Sequence, residues 1–298
     1  MLQNTGPKYL FVINSGSGSR DHHARDEKIK AFLDKENITD GIYYLPERFN
    51  LKQIKDHVQK LKPEKVIAVG GDGTVTMMAN VVAGSDIALG IIPGGSANGM
   101  AKELGIPENI DEALSILTEG KERYIDLIKI NDKDLCLHMS DIGLNAHLIK
   151  HFDEGRLRGK LGYALVIIKT LWKKEKMNVL IHTNDTQIKR VAFMVALANA
   201  TKYGTGAVIN PEGKIDDGLF EVIIVRRLSF GPLLKMLFKP GLFDPKKIEI
   251  CHCTSVEINT SRKVHFQIDG EYKGKVKDIS ASILPESVRM ILPNPEKA

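Results

Sequence analysis

The chain has 298 residues, enough for two domains of ordinary size, and 43% of them are hydrophobic while 27% are charged. These proportions are typical of a globular protein, and no apolar run approaches the roughly 20 residues of a membrane-spanning helix. The net charge of +5 is too small to indicate nucleic-acid binding, but it suits an acidic substrate or an anionic membrane surface.

The N-terminus lacks the basic stretch and long apolar segment of a secretory signal, so we expect a cytoplasmic protein. The three cysteines are an odd number and predict no disulfide framework. Cys251 and Cys253 flank His252, but one intervening residue is too few for the usual zinc spacing. We interpret these residues as an alternating part of an apolar strand.

The first third of the chain alternates between short apolar runs and amphipathic stretches. The predicted strands are 9–13, 42–45, 66–69 and 87–92, and the predicted helices are 21–35, 51–61, 75–82 and one that begins near residue 101. Strands that alternate with helices predict a parallel sheet covered on both faces.

Strand 66–69 is followed by Gly70, Gly71, Asp72, Gly73 and Thr74. Glycine lets a phosphate approach the backbone closely, and successive N–H groups in such a turn bind anions. The helix that follows favours negative charge at its N-terminus. A tight turn that needs glycine only for packing is the alternative, but three glycines around one carboxylate favour binding of nucleotide phosphates.

Two more glycine-rich turns follow predicted strands. Their candidate ligand-binding residues are Asn14, Gly16 and Gly18 in the first turn and Gly95, Ser96 and Asn98 in the second. The second turn is either another phosphate or substrate loop or a simple turn in which Ser96 caps a helix. Because ligands bind at the carboxyl ends of parallel strands, we expect the three loops to meet at one edge of the sheet.

After about residue 125 the pattern changes to short strand-like runs separated by turns. The runs are 125–130, 135–139, 177–182, 189–198, 220–225, 248–252, 255–258, 264–268 and 279–284, with a helical insert at about 147–174. This pattern predicts an antiparallel sandwich or barrel. The fold class is therefore α/β with two domains: a parallel α/β nucleotide-binding domain over 1–125 and a mostly antiparallel β-sandwich over 126–298.

Two acidic turns in the second half carry candidate functional carboxylates. The turn at 216–218, Asp-Asp-Gly, reads first as a hairpin, although its carboxylates and carbonyl groups could also hold Mg²⁺. The turn at 269–271, Asp-Gly-Glu, is either a simple turn or the source of a carboxylate for an active site. Phosphoryl transfer to a hydroxyl needs one group that accepts the proton.

Two regions, 156–176 and 226–247, combine basic and aromatic residues. The default interpretation is a solvated helix face, and the alternative is contact with an anionic membrane surface.

In this order, the motifs resemble those of the diacylglycerol-kinase catalytic-domain family, which includes bacterial diacylglycerol kinases and the sphingosine and ceramide kinases. The resemblance covers nearly the whole chain. The loop at 70–74 matches the family's signature loop, and the turns at 93–98, 216–219 and 269–271 resemble its later motifs. Met77 and Gly99 depart from the family pattern, because carboxylates usually stand at or beside these positions.

The resemblance implies an ATP-dependent lipid kinase that phosphorylates a diacylglycerol or sphingoid-type hydroxyl. It implies Glu271 as the general base, with Asp72 as an alternative that also reaches a catalytic Mg²⁺, and Asp126 as a further site carboxylate. A structural Mg²⁺ is implied at Asp217 and the main-chain carbonyls of Lys214 and Leu219. The implied enzyme meets its lipid at an anionic membrane as a peripheral protein, and a dimer is possible.

Two alternatives remain open on the sequence. An NAD kinase shares the Gly-Gly-Asp-Gly-Thr loop, but we find no good Asn-Glu or Asn-Asp pair to bind a ribose. A catalytically weak lipid- or nucleotide-binding module is the second alternative, suggested by Met77 and Gly99.

Overall fold

The computed structural model describes residues 6–16, 22–38, 41–144, 146, 175–184, 186–203, 207–208, 210–226 and 248–295. The chain divides into two compact units. Unit 1 comprises Met1–Ile125 and Glu286–Ala298, and unit 2 comprises Asp126–Pro285.

Unit 1 alternates strands and helices along the chain. Its elements are β1 (Tyr9–Ile13), α1 (His22–Lys35), β2 (Ile42–Tyr44), α2 (Leu51–Leu61), β3 (Lys65–Gly70), α3 (Asp72–Val82), β4 (Ala88–Pro93), α4 (Gly99–Glu103), α5 (Ile110–Glu119) and the first half of β5 (Lys121–Ile130). Parallel pairing gives the order β2-β1-β3-β4, which confirms the predicted parallel sheet.

The central strands of unit 1 are apolar on both faces, because helices cover both sides of a parallel sheet. Every residue of β1 is buried, as are the residues of β3 after Lys65. The helices bury one face each. In α2 that face carries Ile54 and Val58, and a capping box between Asn50 and Gln53 fixes where the helix begins.

Unit 2 consists mostly of antiparallel strands. They are the second half of β5, β6 (Asp134–Cys136), β7 (Met139–Gly143), β8 (Met177–Thr183), β9 (Gln187–Ala192), β10 (Met194–Ala198), β11 (Lys202–Tyr203), β12 (Ala207–Val208), β13 (Phe220–Val225), β14 (Ile248–Cys253), β15 (Ser255–Ile268) and most of β16 (Glu271–Leu292). The sheet runs β14-β13-β10-β7-β15-β16, with β8 between β15 and β9. The predicted antiparallel β domain is confirmed.

Some strand bounds differ from the prediction. The run 189–198 is two strands, β9 and β10, which are interrupted at Phe193, where the chain passes from one neighbour to another. The runs 255–258 and 264–268 are one strand, β15, with an irregularity in register between Asn259 and Val264. The predicted insert at 147–174 lies outside the described residues.

The last strand, β16, differs most from the expected domain boundary. Residues 286–298 were predicted in the second domain, but Glu286–Ala298 belongs to unit 1. There Arg289 and Met290 pair in parallel with Ala88 and Leu89 of β4. Met290 is fully buried, so this part of β16 belongs to the core of the first unit.

Candidate functional site

The glycine-rich turn after β3 is the start of a helix. Gly71 is the N-cap of α3, and the N–H groups of Thr74 and Val75 bind its carbonyl at 2.9 and 3.1 Å. The helix thus begins three residues before the predicted Val75. The first N–H groups of a helix lack intrahelical partners, and Gly71 has no side chain with which to cap them. They are suited to bind an anion.

The turn after β4 lies directly against this helix start. The Gly94 N–H donates to the Gly70 carbonyl at 2.8 Å. A Cβ on Gly95 would lie 2.5 Å from the Gly71 Cα, and one on Gly71 would lie 3.2 Å from the Gly95 Cα. Glycine is therefore required at position 95, and a side chain at position 71 would push the two backbones apart by a few tenths of an ångström.

Asn98 shapes the second turn from within. Its Oδ1 accepts the Gly95 N–H at 2.9 Å, and its Nδ2 donates to the Gly95 carbonyl at 3.0 Å. Asn98 has a φ of +51° and is the N-cap residue of α4, so the alternative in which Ser96 caps this helix does not hold. Ser96 is exposed at the tip of the turn.

The first turn joins the same edge of the sheet through Asn14. The Asn14 Nδ2 donates to the Thr74 hydroxyl at 3.1 Å, and its Oδ1 accepts the Gly16 N–H at 3.0 Å. The three loops after β1, β3 and β4 therefore meet, as their positions after parallel strands predict. Gly18 lies outside the described residues.

Asp72 links two of these loops. Its Oδ1 accepts the Met100 N–H at 2.9 Å, so it supplies from α3 the side-chain cap that Asn98 does not give to α4. The bond uses one carboxylate oxygen and leaves the second to meet a cation or its bound water.

Arg25 is a basic residue at this edge that sequence reasoning missed. It lies on α1, its side chain is only 12% exposed, and its guanidinium pairs with Asp26 at 3.3 Å. Its Nη1 lies 3.3 Å from the position of a Cβ on Gly94. The signal available in the sequence was a basic residue in the first turn of the helix that follows the first glycine-rich turn.

In unit 2, Asp126 is buried and holds the acidic turn before β13. Its Oδ2 accepts the Gly218 N–H at 2.8 Å, and its own N–H donates to the Ile215 carbonyl at 2.7 Å. Asn199 donates to the Asp126 carbonyl at 2.8 Å. The structure thus joins Asp126 to the turn at 216–218, although the two lie far apart in the sequence.

The turn at 216–218 carries carboxylate and carbonyl oxygens, which are the kind of atom that Mg²⁺ prefers. Asp217 is exposed, and its Oδ1 accepts the Leu219 N–H at 3.1 Å, so one carboxylate oxygen remains. In the described part of the chain, the buried Oδ1 atoms of Asn199 and Asn210 have no hydrogen-bond partner. Mg²⁺ takes few protein oxygens and keeps several waters, so the chemistry of Asp217 and of the turn's carbonyl groups is compatible with this ion.

A metal can also be held by a cluster of protein side chains alone. Within the described residues, no group of three or more His, Cys, Asp and Glu side chains is arranged to bind one. Cys251 and Cys253 are free cysteines on β14, in the alternating strand that the sequence predicts. Burial raises the pKa of Cys253 to about 12, so this thiol is a poor nucleophile and a poor metal ligand.

The turn at 269–271 is a two-residue hairpin between β15 and β16. Its central residues have φ of +46° and +86°, as in a type I′ turn. The Asp269 carboxylate accepts the N–H groups of Leu137, His138 and Met139 at 2.8–2.9 Å, so it is a structural group. Glu271 is exposed and pairs with Lys273 at 2.9 Å.

A buried polar cluster on β13 has no counterpart in the sequence prediction. Glu221 is 1% exposed; one carboxylate oxygen contacts Asn210 Nδ2 and the other lies 3.0 Å from His252 Nδ1. Burial raises the pKa of Glu221, although the bonds to Asn210 and His252 act against this. The sequence did not single out Glu221, because it stands within the apolar run 220–225.

The predicted membrane-contact regions lie outside the described residues, apart from Glu175, Lys176 and Arg226. Among the helices that the structure describes, none combines the length and apolar character needed to cross a bilayer.

Comparisons with known proteins were made on sequence and on structure. The family model described as "Diacylglycerol kinase catalytic domain" matches residues 8–130, and "YegS C-terminal NAD kinase beta sandwich-like domain" matches residues 139–292. A relative named "Probable lipid kinase YegS-like" from Klebsiella pneumoniae (strain 342) is 28% identical over 298 residues, which cover 97% of each chain.

Two solved structures share the fold. The crystal structure of a diacylglycerol kinase from Bacillus anthracis str. Sterne has a TM-score of 0.76 at 23% identity and covers 99% of each chain. An NAD kinase from Archaeoglobus fulgidus in complex with ATP has a TM-score of 0.55 at 12% identity, with 95% of this chain and 93% of that chain covered. At these identities the likeness concerns the fold alone.

Proposed function

Because the chain belongs to the YegS and diacylglycerol kinase-like family of lipid kinases, we propose that it transfers the γ-phosphoryl group of ATP to the hydroxyl of a lipid. With diacylglycerol as acceptor, the product is phosphatidic acid. The observation that carries the proposal is the contact of three loops around the uncapped N-terminus of α3.

The phosphate groups of ATP are bound in this proposal by the backbone of α3 and of the turn after β4. The helix N-terminus contributes N–H groups and a favourable dipole. Gly71 and Gly95 keep the two backbones in contact, and Gly73 leaves open space in front of the helix. Arg25 adds a positive charge beside Gly94.

Mg²⁺, when bound, neutralises the charge that spreads over the transferring phosphoryl group. The free oxygen of Asp72 is placed to meet that cation or its water, while its other oxygen stays on the Met100 N–H. In this proposal, Asp217 and the carbonyls of Lys214 and Leu219 hold a second, structural Mg²⁺, because carboxylate and carbonyl oxygens are ligands that Mg²⁺ prefers.

Glu271 is the general base in this proposal. A base must reach the hydroxyl of an incoming lipid, and of the three candidate carboxylates Glu271 alone is exposed. Asp126 is buried and accepts the Gly218 N–H. Asp72 accepts the Met100 N–H at the start of α4 and, in this proposal, contacts the cation with its other oxygen. Both are therefore poorer proton acceptors for a bulky substrate.

The lipid is proposed to be met at an anionic membrane surface, with the enzyme bound peripherally. The net charge of +5 supports this, because a basic protein accumulates at an anionic interface. Binding to vesicles of anionic lipid that weakens with added salt is expected, whereas equal binding to neutral vesicles would contradict an electrostatic contact.

The experiment that tests the proposed function is an acceptor screen with radiolabelled ATP. The wild-type protein is incubated with diacylglycerol, monoacylglycerol, sphingoid bases and NAD in separate mixed-micelle reactions containing Mg²⁺. We expect label in one lipid class and none in NAD. Label in NAD alone would favour the NAD kinase alternative, and ATP binding without any labelled acceptor would favour a binding module.

A further inference from the structure

A pair of buried polar side chains lies directly behind the hairpin that carries Glu271. Asp141 on β7 and Gln267 on β15 are each 1% exposed and stand opposite one another in the antiparallel register. The Gln267 Nε2 donates to the Asp141 Oδ2 at 2.5 Å. A charged group and an amide are seldom buried without a specific need, because removal from water is costly.

The pair is connected to the backbone at both ends. The Gln267 Oε1 accepts the N–H of Gly270, the residue before Glu271, at 2.7 Å. The Asp141 Oδ1 accepts the Ala146 N–H at 2.9 Å. The two side chains therefore form one chain of hydrogen bonds from Ala146 to the hairpin turn, and each acceptor in it has its donor.

These bonds fix the orientation of the peptide unit between Asp269 and Gly270, one unit before the one that joins Gly270 to Glu271. The register between β15 and β16 shifts between Phe266 and Gln267, so only the pairs Gln267–Tyr272 and Ile268–Glu271 lead in regular register into the turn. The Glu271 side chain is three-quarters exposed, and its ion pair with Lys273 is with a residue of its own strand. The backbone of the turn must therefore place the carboxylate.

We propose that Asp141 and Gln267 are positioning residues that orient Glu271 for proton acceptance through the Gly270 peptide. The inference rests on the proposed function, in which Glu271 is the base. A displacement of about 1 Å at a reacting group can cost on the order of 10²-fold in rate, so a pair that fixes one peptide can matter to catalysis.

The polarity of the pair permits an exchange of partners. In Asp141→Asn, the new side chain has one acceptor oxygen, but both Ala146 and Gln267 donate to position 141. Its N–H₂ group must therefore face another donor, and one of the hydrogen bonds is lost. In Gln267→Glu, two carboxylates face each other inside the protein. In the double variant D141N/Q267E, the new amide at position 141 accepts from Ala146 through its oxygen and donates to the new carboxylate at position 267. That carboxylate also accepts from Gly270, so all three bonds return with the same total charge.

The measured quantities are kcat and KM for ATP and for the accepted lipid, the melting temperature, and the rate of amide hydrogen exchange at Gly270. We expect each single variant to lose about 10- to 100-fold in kcat with KM for ATP unchanged, and to exchange faster at Gly270. The double variant should recover most of the kcat and of the amide protection. Gln187→Glu, an exposed substitution of the same kind on β9, is the matched control and should behave as wild type.

Asp141→Asn is also introduced into Glu271→Gln. If Asp141 acts through Glu271, it should cause little further loss there, because the group it orients is already disabled. An equal fold-loss in both backgrounds, or a double variant with kcat no better than the single variants despite a wild-type melting temperature, would overturn the inference.

The outcomes separate this inference from the proposed function. A wild-type protein that labels no lipid overturns the proposed function and the inference with it. An active Glu271→Gln variant overturns the assignment of the base. An active wild type with an inactive Glu271→Gln, but with kcat unaffected by Asp141→Asn, overturns the positioning role alone.

Discussion

Gly73 and Gly71 lie two residues apart but are glycines for different reasons. Among the described residues, a Cβ on Gly73 would meet no atom outside its own helix within 4 Å, whereas one on Gly71 would press against Gly95. We expect Gly73→Val to keep the wild-type melting temperature and to lose ATP affinity, because only a bound phosphate would occupy the space of the new side chain. Isothermal titration with ATP and Mg²⁺ measures this.

The matched control is Lys52→Val, which stands at the second position of α2 as Gly73 does in α3. It should leave ATP affinity unchanged. Tight ATP binding by a folded Gly73→Val protein would show that the start of α3 is not a phosphate site.

Glu271→Gln tests the base directly. The amide keeps the size and polarity of the side chain but cannot take the proton, so kcat should fall about 10²–10⁴-fold while ATP affinity stays near wild type. Asp72→Asn should instead raise the Mg²⁺ concentration needed for half-maximal activity and weaken the cap of α4. Steady-state kinetics over a range of Mg²⁺ separates the two, and a fully active Glu271→Gln would transfer the role of base to Asp72 or Asp126.

Glu221 gives the protein a predictable dependence on pH. Burial raises its pKa above the usual 4.5, so the folded state holds this proton more tightly than the unfolded chain does. The stabilisation by this carboxyl is complete below pH 4.5 and is lost as pH rises through the raised folded-state pKa. The free energy of unfolding of Glu221→Gln should therefore rise relative to that of the wild type as pH increases through this range, by on the order of 1 kcal/mol.

Urea unfolding at several pH values measures this gain. Glu257→Gln, exposed on β15, serves as the control, and a His252→Gln background removes the imidazole that contacts Glu221. A difference between the wild type and Glu221→Gln that is constant from pH 4.5 to pH 7 would contradict the raised pKa.

At the scale of elements, the hairpin at 269–271 shows how one carboxylate can fix a turn. Asp269→Ala would leave three N–H groups of residues 137–139 without their acceptor, and each costs about 1–3 kcal/mol where it is buried. We therefore expect a loss of about 3 kcal/mol or more in the free energy of unfolding, measured by urea titration.

Asp132→Ala is a matched control, since Asp132 also has a positive φ, +59°, in a hairpin but is exposed to solvent. It removes an aspartate from the same backbone region without orphaning buried donors and should cost less than about 1 kcal/mol. Equal losses in the two variants would mean that backbone strain, and not the three hydrogen bonds, accounts for the effect.

The sequence predicted elements well where local pattern decides them. The strand predicted at 9–13 is β1, because an apolar run bounded by turn residues can be read without its neighbours. The sequence could not predict which of the two carboxylates in Asp-Gly-Glu is structural. That role depends on the N–H groups of residues 137–139, which lie about 130 positions away. The roles of Arg25 and Glu221 likewise arise from contacts between distant segments.

At the scale of the whole molecule, β16 belongs to both units, which no local pattern in the sequence indicates. Deletion of all residues after Pro285 should destabilise unit 1, because β4 loses one of its two partner strands and the buried Val288 and Met290 are removed. We expect loss of ATP binding and of the cooperative thermal transition. Deletion of the residues after Pro293, which spares the strand, is the control.

A milder version is Met290→Ala, which should cost about 2–5 kcal/mol because the side chain is fully buried. A protein truncated after Pro285 that still binds ATP with wild-type affinity and melts at the wild-type temperature would contradict a structural role for the end of β16.

The shared strand also affects when unit 1 can finish folding during synthesis of the protein. Unit 1 is nearly complete when Ile125 leaves the ribosome, but its last strand follows only after the whole of unit 2. At about 5–20 residues per second, the edge of β4 waits on the order of ten seconds for its partner. Nascent chains therefore carry an open β edge, a site for aggregation or chaperone binding, until residues 286–292 have been synthesised.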